Sequence, residues 1–139
     1  MSKAKFLISN ITDGEPVKLF QYYNKFIRYY KNCELQHKEW WMKNAKKDWT
    51  VIDAGANVGV FSVLFGRLCK KVVAIEPCPT TVKYLKHNLA QNGITNVEVI
   101  QKALGNITAK RNDTVYHVWG DKPMKQQFEF STLDDINIL

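Results

Sequence analysis

Short apolar runs alternate with helical patterns through the middle of the chain. Thr50–Ala54 and residues 71–76 and 96–100 are rich in β-branched residues, and each run is short enough to be a buried strand. Residues 57–69 and 79–91 instead repeat apolar side chains at three- and four-residue steps, which is the spacing of one helix face. Strands that alternate with helices in this way predict a parallel, doubly wound α/β sheet with right-handed helical crossovers.

The first third of the sequence has a different pattern. Residues 1–17 are typical of a lead-in strand or arm, and residues 19–30 repeat apolar and aromatic side chains at helical spacing. A weaker helical pattern covers residues 34–47. We therefore expect an N-terminal helical, basic extension over residues 1–48 and an α/β core over residues 49–139.

The last third of the core is less regular. Residues 114–119 and 127–130 predict two strands, with a turn near Gly120 between them. Thr132 and Asp135 have the spacing of a capping box, which predicts that a helix starts near the C-terminal end of the sequence.

Composition and charge narrow the class of protein. The chain has 139 residues, 45% of them hydrophobic, and a net charge of +7, with most of the excess in the first 50 residues. Such a surplus of positive charge is typical of a protein that binds nucleic acid, a membrane surface or an acidic substrate. It is equally typical of a lysine-rich surface that contacts only solvent. No apolar run approaches the roughly 20 residues of a membrane span, and no signal peptide is recognisable, so we expect a cytoplasmic protein. Three scattered cysteines predict neither a disulfide framework nor a metal site.

A glycine-bearing turn follows the first predicted core strand. Gly55 permits a tight turn, and Gly59 lets the next helix pack closely against the strand. The spacing is G-x-x-x-G, which differs from the G-x-G-x-x-G of most dinucleotide-binding proteins. The position of the turn, between a strand and a helix, predicts a ligand that approaches the backbone.

Two acidic residues indicate which ligand. Asp53 ends the first core strand, where its carboxylate would oppose an ammonium group. Glu76 ends the second, where a carboxylate can accept both hydroxyls of a ribose. A pyrophosphate would be repelled by Asp53, whereas a cationic amino-acid nucleoside such as S-adenosylmethionine suits two carboxylates.

Five segments in order resemble a known family, the FkbM family of class I S-adenosylmethionine-dependent methyltransferases. The resemblance extends over residues 51–135 and implies a Rossmann-like sheet of the class I methyltransferase type, here partial and with N-terminal helices. The matching segments are Val51-Ile-Asp-Ala-Gly-Ala-Asn-Val-Gly-Val-Phe-Ser62, Val73-Ala-Ile-Glu-Pro77, Leu85-Lys-His-Asn-Leu-Ala-Gln-Asn-Gly93, Lys102-Ala-Leu-Gly105 and Ser131-Thr-Leu-Asp-Asp135.

The resemblance implies methyl transfer from S-adenosylmethionine, usually to an oxygen of a saccharide or another natural product. It assigns no catalytic base and no metal. The implied cofactor-binding residues are Asp53, Gly55, Asn57 and Gly59 around the methionine part, Glu76 at the ribose, Lys102 and Ala103 beside the adenine, and Pro77 or Cys78 near the adenine edge.

The sequence departs from the family after Asp135, because the acidic strand that follows there in the family is missing. Without it, the strand Thr50–Ala54 becomes a sheet edge with unpaired backbone groups. Either the N-terminal helices or the strands of residues 114–130 cover this edge, a second chain pairs with it, or the sequence is a fragment, and we expect the last of these. Two other functions remain open: methylation of RNA or DNA, favoured by basic residues among aromatic ones, and a non-catalytic cofactor-binding module.

Overall fold

The computed structural model describes residues 6–9, 17–20, 34–115 and 124–138. These residues form three small sheets and three helices. In chain order the elements are β1 Phe6–Ser9, β2 Val17–Phe20, α1 Leu35–Asn44, β3 Thr50–Ala54, α2 Val60–Leu68, β4 Lys71–Ile75, α3 Pro79–Gln91, β5 Val97–Ile100, β6 Ala103–Leu104, β7 Ala109–Val115 and β8 Met124–Ser131.

The central sheet has the order β3-β4-β5, and all three strands are parallel. Asp53 is in register with Ala74, and Ile75 is in register with Ile100. Helices α2 and α3 make the two crossovers, because a parallel neighbour cannot be reached by a tight turn. The predicted α/β arrangement of parallel strands with helical crossovers is confirmed.

Both faces of the central strand β4 are covered. Val72 and Ala74 point to the side on which α2 and α3 pack, whereas Val73 and Ile75 point to the opposite side, as alternate residues of a strand do. On that opposite side Ile136 is buried against Val73 and Ile75. The segment after β8 therefore replaces a helix as the cover of this face.

The N-terminal hairpin packs onto the helical side of the sheet. β1 and β2 pair in antiparallel fashion, and Val17 and Leu19 are buried in the cluster formed by α2 and α3. The predicted helix over residues 19–30 is therefore wrong at Leu19, which lies in β2; residues 21–30 are outside the described part. Buried Val17, exposed Lys18 and buried Leu19 alternate with the period of a strand, a signal too short to outweigh the helical spacing that follows.

Helix α1 confirms the weaker helical prediction for residues 34–47. Its Trp41 packs on Phe65 of α2, with ring centroids 4.5 Å apart, and meets Trp49 edge-on at 6.2 Å. These aromatic contacts fix α1 against α2. The predicted domain boundary after residue 48 stays a prediction.

A second sheet, of order β6-β8-β7, contains the predicted strand of residues 127–130 within β8. Of the predicted strand 114–119, only residues 114 and 115 are described, and they lie at the end of β7. The bounds differ, because β7 begins at Ala109 and not at Thr114. Lys110, Arg111, Asn112 and Asp113 have no apolar alternation, so their strand conformation depends on antiparallel pairing with β8. The predicted turn near Gly120 lies outside the described residues.

The predicted C-terminal helix is wrong. The Asp135 amide N–H donates to Thr132 Oγ1 at 3.2 Å, as in a capping box, but residues 132–138 form turns. The side chain of Asp135 accepts hydroxyl hydrogen bonds from Thr132 and Thr108, so it does not return to a backbone N–H. Only the local capping contact was predictable here.

Strand β3 has β4 on one side, and no other described strand pairs with it. Its Ile52 side chain is 38% exposed. Within the described ranges Thr50–Ala54 is thus a sheet edge, as expected, and neither β7 nor β8 pairs with it. No helix in these ranges is long and apolar enough to cross a membrane.

Gly59→Ala should destabilise the fold. Gly59 has φ +92°, and an added Cβ would lie 2.5 Å from Cδ1 of the buried Leu85 on α3. We expect left-handed strain of about 1–2 kcal/mol and overpacking of a further ~1–3 kcal/mol, measured as the loss in free energy of unfolding in urea. Gly55→Ala is the matched control, because Gly55 has φ +78° but nothing within 4 Å of an added Cβ. Equal losses in the two variants would contradict close packing between Gly59 and Leu85.

Candidate functional site

The loop between β3 and α2 wraps around the carboxyl end of β4. The amide N–H groups of Gly55 and Ala56 both donate to the carbonyl oxygen of Ile75, at 2.9 and 3.0 Å. Asn57 has φ +50°, and the Gly59 N–H closes the turn on the carbonyl of Ala56 at 2.9 Å. The loop is therefore a defined backbone structure that ends where α2 begins.

The side chain of Glu76 joins this loop to the next one. Its Oε2 accepts the Asn57 N–H at 3.0 Å, and its Oε1 accepts the Cys78 N–H at 3.0 Å. Glu76 is only 6% exposed, so these two bonds hold a buried carboxylate in one orientation. A carboxylate offers about four lone-pair sites, which leaves two for a ligand.

Asp53 lies at the end of the neighbouring strand and is held from α2. The hydroxyl of Ser62, which is fully buried, donates to Asp53 Oδ2 at 2.5 Å. Because Asp53 is on the same strand face as Val51, its side chain points towards the helices. The third residue of α2 can therefore reach it.

The two carboxylates are close enough to repel each other. Burial raises the pKa of Asp53, the Ser62 hydrogen bond lowers it in part, and repulsion from Glu34 raises it further. Burial also raises the pKa of Glu76; the N–H groups of Cys78 and Asn57 oppose this shift, and repulsion from Asp53 adds to it. A cationic ligand would relieve the electrostatic cost of both groups.

A polar cleft of about 240 Å³ lies beside Glu76, at the carboxyl ends of β4 and β5. Pro77 and Gln101, which follow these two strands, form one side of it, and the hairpin of β7 and β8 forms the other. The lining residues are Pro77, Pro79, Gln101, Lys110, Gln126, Gln127, Phe128 and Glu129.

The structure brings five of the predicted site residues into the two loops and places Pro77 at the adjoining cleft. These five are Asp53, Gly55, Asn57, Gly59 and Glu76. Lys102 pairs with a residue of the cleft wall, since its Nζ lies 3.4 Å from Oε1 of Glu129, but it is not itself among the lining residues. Ala103 is buried with Phe128 and Phe130 in the second sheet. Neither lines the cleft, and their placement beside an adenine stays a prediction.

Two residues of the candidate site, Ser62 and Gln101, were not predicted from the sequence. Ser62 stands nine positions after Asp53, and only the crossing of α2 over β3 reveals their contact. Gln101 directly follows the third strand, so attention to strand ends could have included it. No group of three or more His, Cys, Asp or Glu side chains in the described part of the chain is placed to hold a metal ion.

The proteins that the chain resembles include two named relatives and one solved structure. It is 30% identical over 78 residues to a probable ribosomal RNA small subunit methyltransferase A of Methanosphaera stadtmanae, covering 56% of this chain and 25% of the relative. It is 28% identical over 94 residues to a probable cobalt-precorrin-6B C(15)-methyltransferase (decarboxylating) of Methanocaldococcus jannaschii, covering 68% and 51%. The structure of TYW2 from Pyrococcus horikoshii in complex with MeSAdo superposes with a TM-score of 0.51 at 23% identity, covering 70% of this chain and 36% of that one.

These comparisons and the sheet order define the fold as that of class I S-adenosylmethionine-dependent methyltransferases. No protein-family model matches the chain. The chain spans between about a fifth and a half of the length of the curated relatives it matches.

Asp53→Asn should stabilise the fold at neutral and higher pH. The folded pKa of Asp53 is raised, so the wild-type chain loses stability as the pH rises from the ordinary carboxyl pKa through the raised one. The variant lacks this loss, and its amide oxygen can still accept the Ser62 hydroxyl. We expect its free energy of unfolding in urea to exceed that of the wild type at about pH 8, and to match it at about pH 3.

The control is Asp134→Asn, which changes an exposed carboxylate outside the site. We expect it to track the wild type at both pH values. An Asp53→Asn variant that is less stable than the wild type at the higher pH would show that burial of this charge is not costly.

Proposed function

We propose that this chain binds S-adenosylmethionine and supplies the cofactor half of a methyltransferase. The observation that supports this most directly is the pair of carboxylates, half-buried Asp53 and buried Glu76, at the ends of adjacent parallel strands around a loop with left-handed Gly55 and Gly59. In open α/β sheets, ligands bind at the carboxyl ends of strands.

The residues present fit this cofactor. Glu76 has two lone-pair sites left after its backbone contacts, which suits the two hydroxyls of a ribose. An added Cβ at Gly55 would meet nothing within 4 Å, so a ligand can approach the backbone there. Asp53 would accept the ammonium group of the methionine part, and the cleft behind Pro77 would take the adenine.

When bound, S-adenosylmethionine supplies a methyl group on a positively charged sulfur. The chain's own part is to orient this donor and to stabilise its positive charges until an acceptor is in line. Asp53 and Glu76 do both, because their fixed carboxylates oppose the cation without needing to reorganise. No proton-abstracting residue is assigned.

For the acceptor we propose RNA. The named relative that is 30% identical is a ribosomal RNA methyltransferase by its name, and the chain has a net charge of +7 with a sequence pI of about 9.3. A phosphate backbone is the acceptor that such a surplus of cations favours.

A second candidate is a saccharide or another natural-product hydroxyl. The five sequence segments that resemble the FkbM family support it, as does the match to a methyltransferase of a small precorrin substrate. The polar cleft lined by Gln101 and Gln126 would suit hydroxyl-rich ligands as well as bases.

Asp53→Ala and Glu76→Ala should each weaken S-adenosylmethionine binding by about 1–3 kcal/mol, which is roughly a 5- to 150-fold rise in Kd, because each removes a charge-assisted hydrogen bond to the ligand. Isothermal titration calorimetry measures this directly. Glu76→Gln keeps the side-chain volume, so it separates the effect of losing the charge from the effect of losing the side chain. Asp134→Ala is the control, with unchanged affinity expected. Wild-type affinity in both alanine variants would remove the site assignment.

Measurements of RNA binding at two salt concentrations test which class of acceptor the chain binds. We expect the chain to bind single-stranded RNA with an affinity that falls steeply between about 50 and 200 mM salt, because phosphate contacts release counterions. Fluorescence anisotropy with a labelled oligonucleotide measures the effect. Binding of an oligosaccharide, with no RNA binding at the lower salt, would favour the second candidate instead.

A further inference from the structure

Helix α1 connects the candidate site to a basic surface. Glu34, its N-cap residue, lies near enough to Asp53 to raise the pKa of that carboxyl by repulsion. Beyond the other end of the helix, Lys47 Nζ donates to the carbonyl of Arg67 at 2.9 Å, near the end of α2. Ten residues of helix span about 15 Å, so α1 runs the length of the sheet from the site to its opposite end.

The two adjacent tryptophans of α1 have opposite environments. Trp41 is packed into the aromatic contacts with Phe65 and Trp49. Trp40 is 53% exposed, and its ring stands edge-on to Trp41 with a centroid distance of 5.4 Å and an interplanar angle of 85°. The core therefore positions Trp40 while much of its surface faces solvent.

Cations follow Trp40 along the same helix. Lys43 stands three positions later, in the last turn of α1, and Lys46 follows it; both are exposed. Lys70 is also exposed and lies near Trp49, since its N–H donates to the carbonyl of that residue at 3.0 Å. The exposed acids nearby are Glu34, Glu39 and Asp48. Because Lys47 is exposed as well, four lysines face three acids, and the surface has a small positive excess.

An aromatic ring among lysines is the usual surface for a single-stranded nucleic acid. Bases of any identity stack on the ring, and the cations contact phosphates. At about 3.4 Å per stacked nucleotide, the length of α1 corresponds to roughly four nucleotides. A protein partner would cover Trp40 equally well, but the positive charge of this surface favours a polyanion.

We propose that the outward surface of α1 and of the turn after it, formed by Trp40, Lys43 and Lys46, binds single-stranded RNA and leads it towards the site at Asp53. Trp40 stacks on a base, and the two lysines contact phosphates. This inference rests on the proposed function, because it locates the acceptor strand of that same methyltransferase.

The test measures the binding of a fluorescein-labelled oligouridylate of about 12 nucleotides by anisotropy. Trp40→Ala should weaken binding by between about fivefold and a hundredfold, whereas Trp40→Phe should stay close to the wild type. The double variant Lys43→Gln with Lys46→Gln should reduce the slope of log affinity against log salt by about 0.7 for each phosphate that is no longer neutralised. Lys86→Gln, an exposed lysine of α3, is the control and should match the wild type.

Three results separate the possible failures. Affinity for S-adenosylmethionine should stay unchanged in every variant, which shows that the fold and cofactor site are intact. If the wild type binds this cofactor and Trp40→Ala binds RNA as well as the wild type does, the α1 surface is not the RNA site. If the wild type binds the cofactor but no RNA, the inference and the RNA acceptor are both overturned, while the cofactor site stands.

A last experiment tests whether a second copy of the chain, and not RNA, covers Trp40. Sedimentation velocity of the wild type and of Trp40→Ala, without RNA, should give the same species for both. A dimer that Trp40→Ala converts to a monomer, together with unchanged RNA binding, would identify the surface as a contact between copies of the chain and overturn the inference.

Discussion

The buried carboxylate of Glu76 is the interaction on which the candidate site depends. It accepts a backbone N–H from the loop after β3 and another from the loop after β4, so one side chain sets the distance between two crossovers. Removing a carboxylate from water is expensive, and two charge-assisted hydrogen bonds offset only part of that cost. The repulsion from Asp53 adds to it. The fold therefore maintains a local concentration of negative charge that a cationic ligand can neutralise.

This arrangement makes the site electrostatically unfavourable and yet fixes both of its carboxylates. Ser62 holds Asp53, and backbone N–H groups hold Glu76, so neither carboxylate can relax by turning into water. Stability is given up for preorganisation, which is common at functional sites. The close packing of Gly59 against Leu85 also contributes to this preorganisation, because it fixes where α2 starts relative to α3.

The sequence predicts the central part well because buried parallel strands are continuous apolar runs, and β4 has no exposed residue to break the pattern. It predicts Asp53 and Glu76 for the same reason, since both end such runs. It fails at β7, whose polar residues 110–113 become a strand only through pairing with β8. It also fails at Leu19, where three residues of strand period precede a longer helical pattern. Contacts such as Ser62 with Asp53 arise from the crossing of elements and have no local signature.

Asn92 has a consequence for the order of folding. Its side-chain amide donates to the carbonyl of Lys18 at 2.7 Å and accepts the N–H of Lys18 at 2.9 Å, although the two residues stand 74 positions apart. The same amide nitrogen bonds the carbonyl of Asn88 at the end of α3. The Asn92 side chain, which the β1–β2 hairpin contacts, is thus in place only after the last turn of α3 has formed. We therefore expect β1 and β2 to pack onto the rest of the fold late, although they are synthesised first. Closing so long a loop has an entropic cost, which only contacts with an already formed surface can offset.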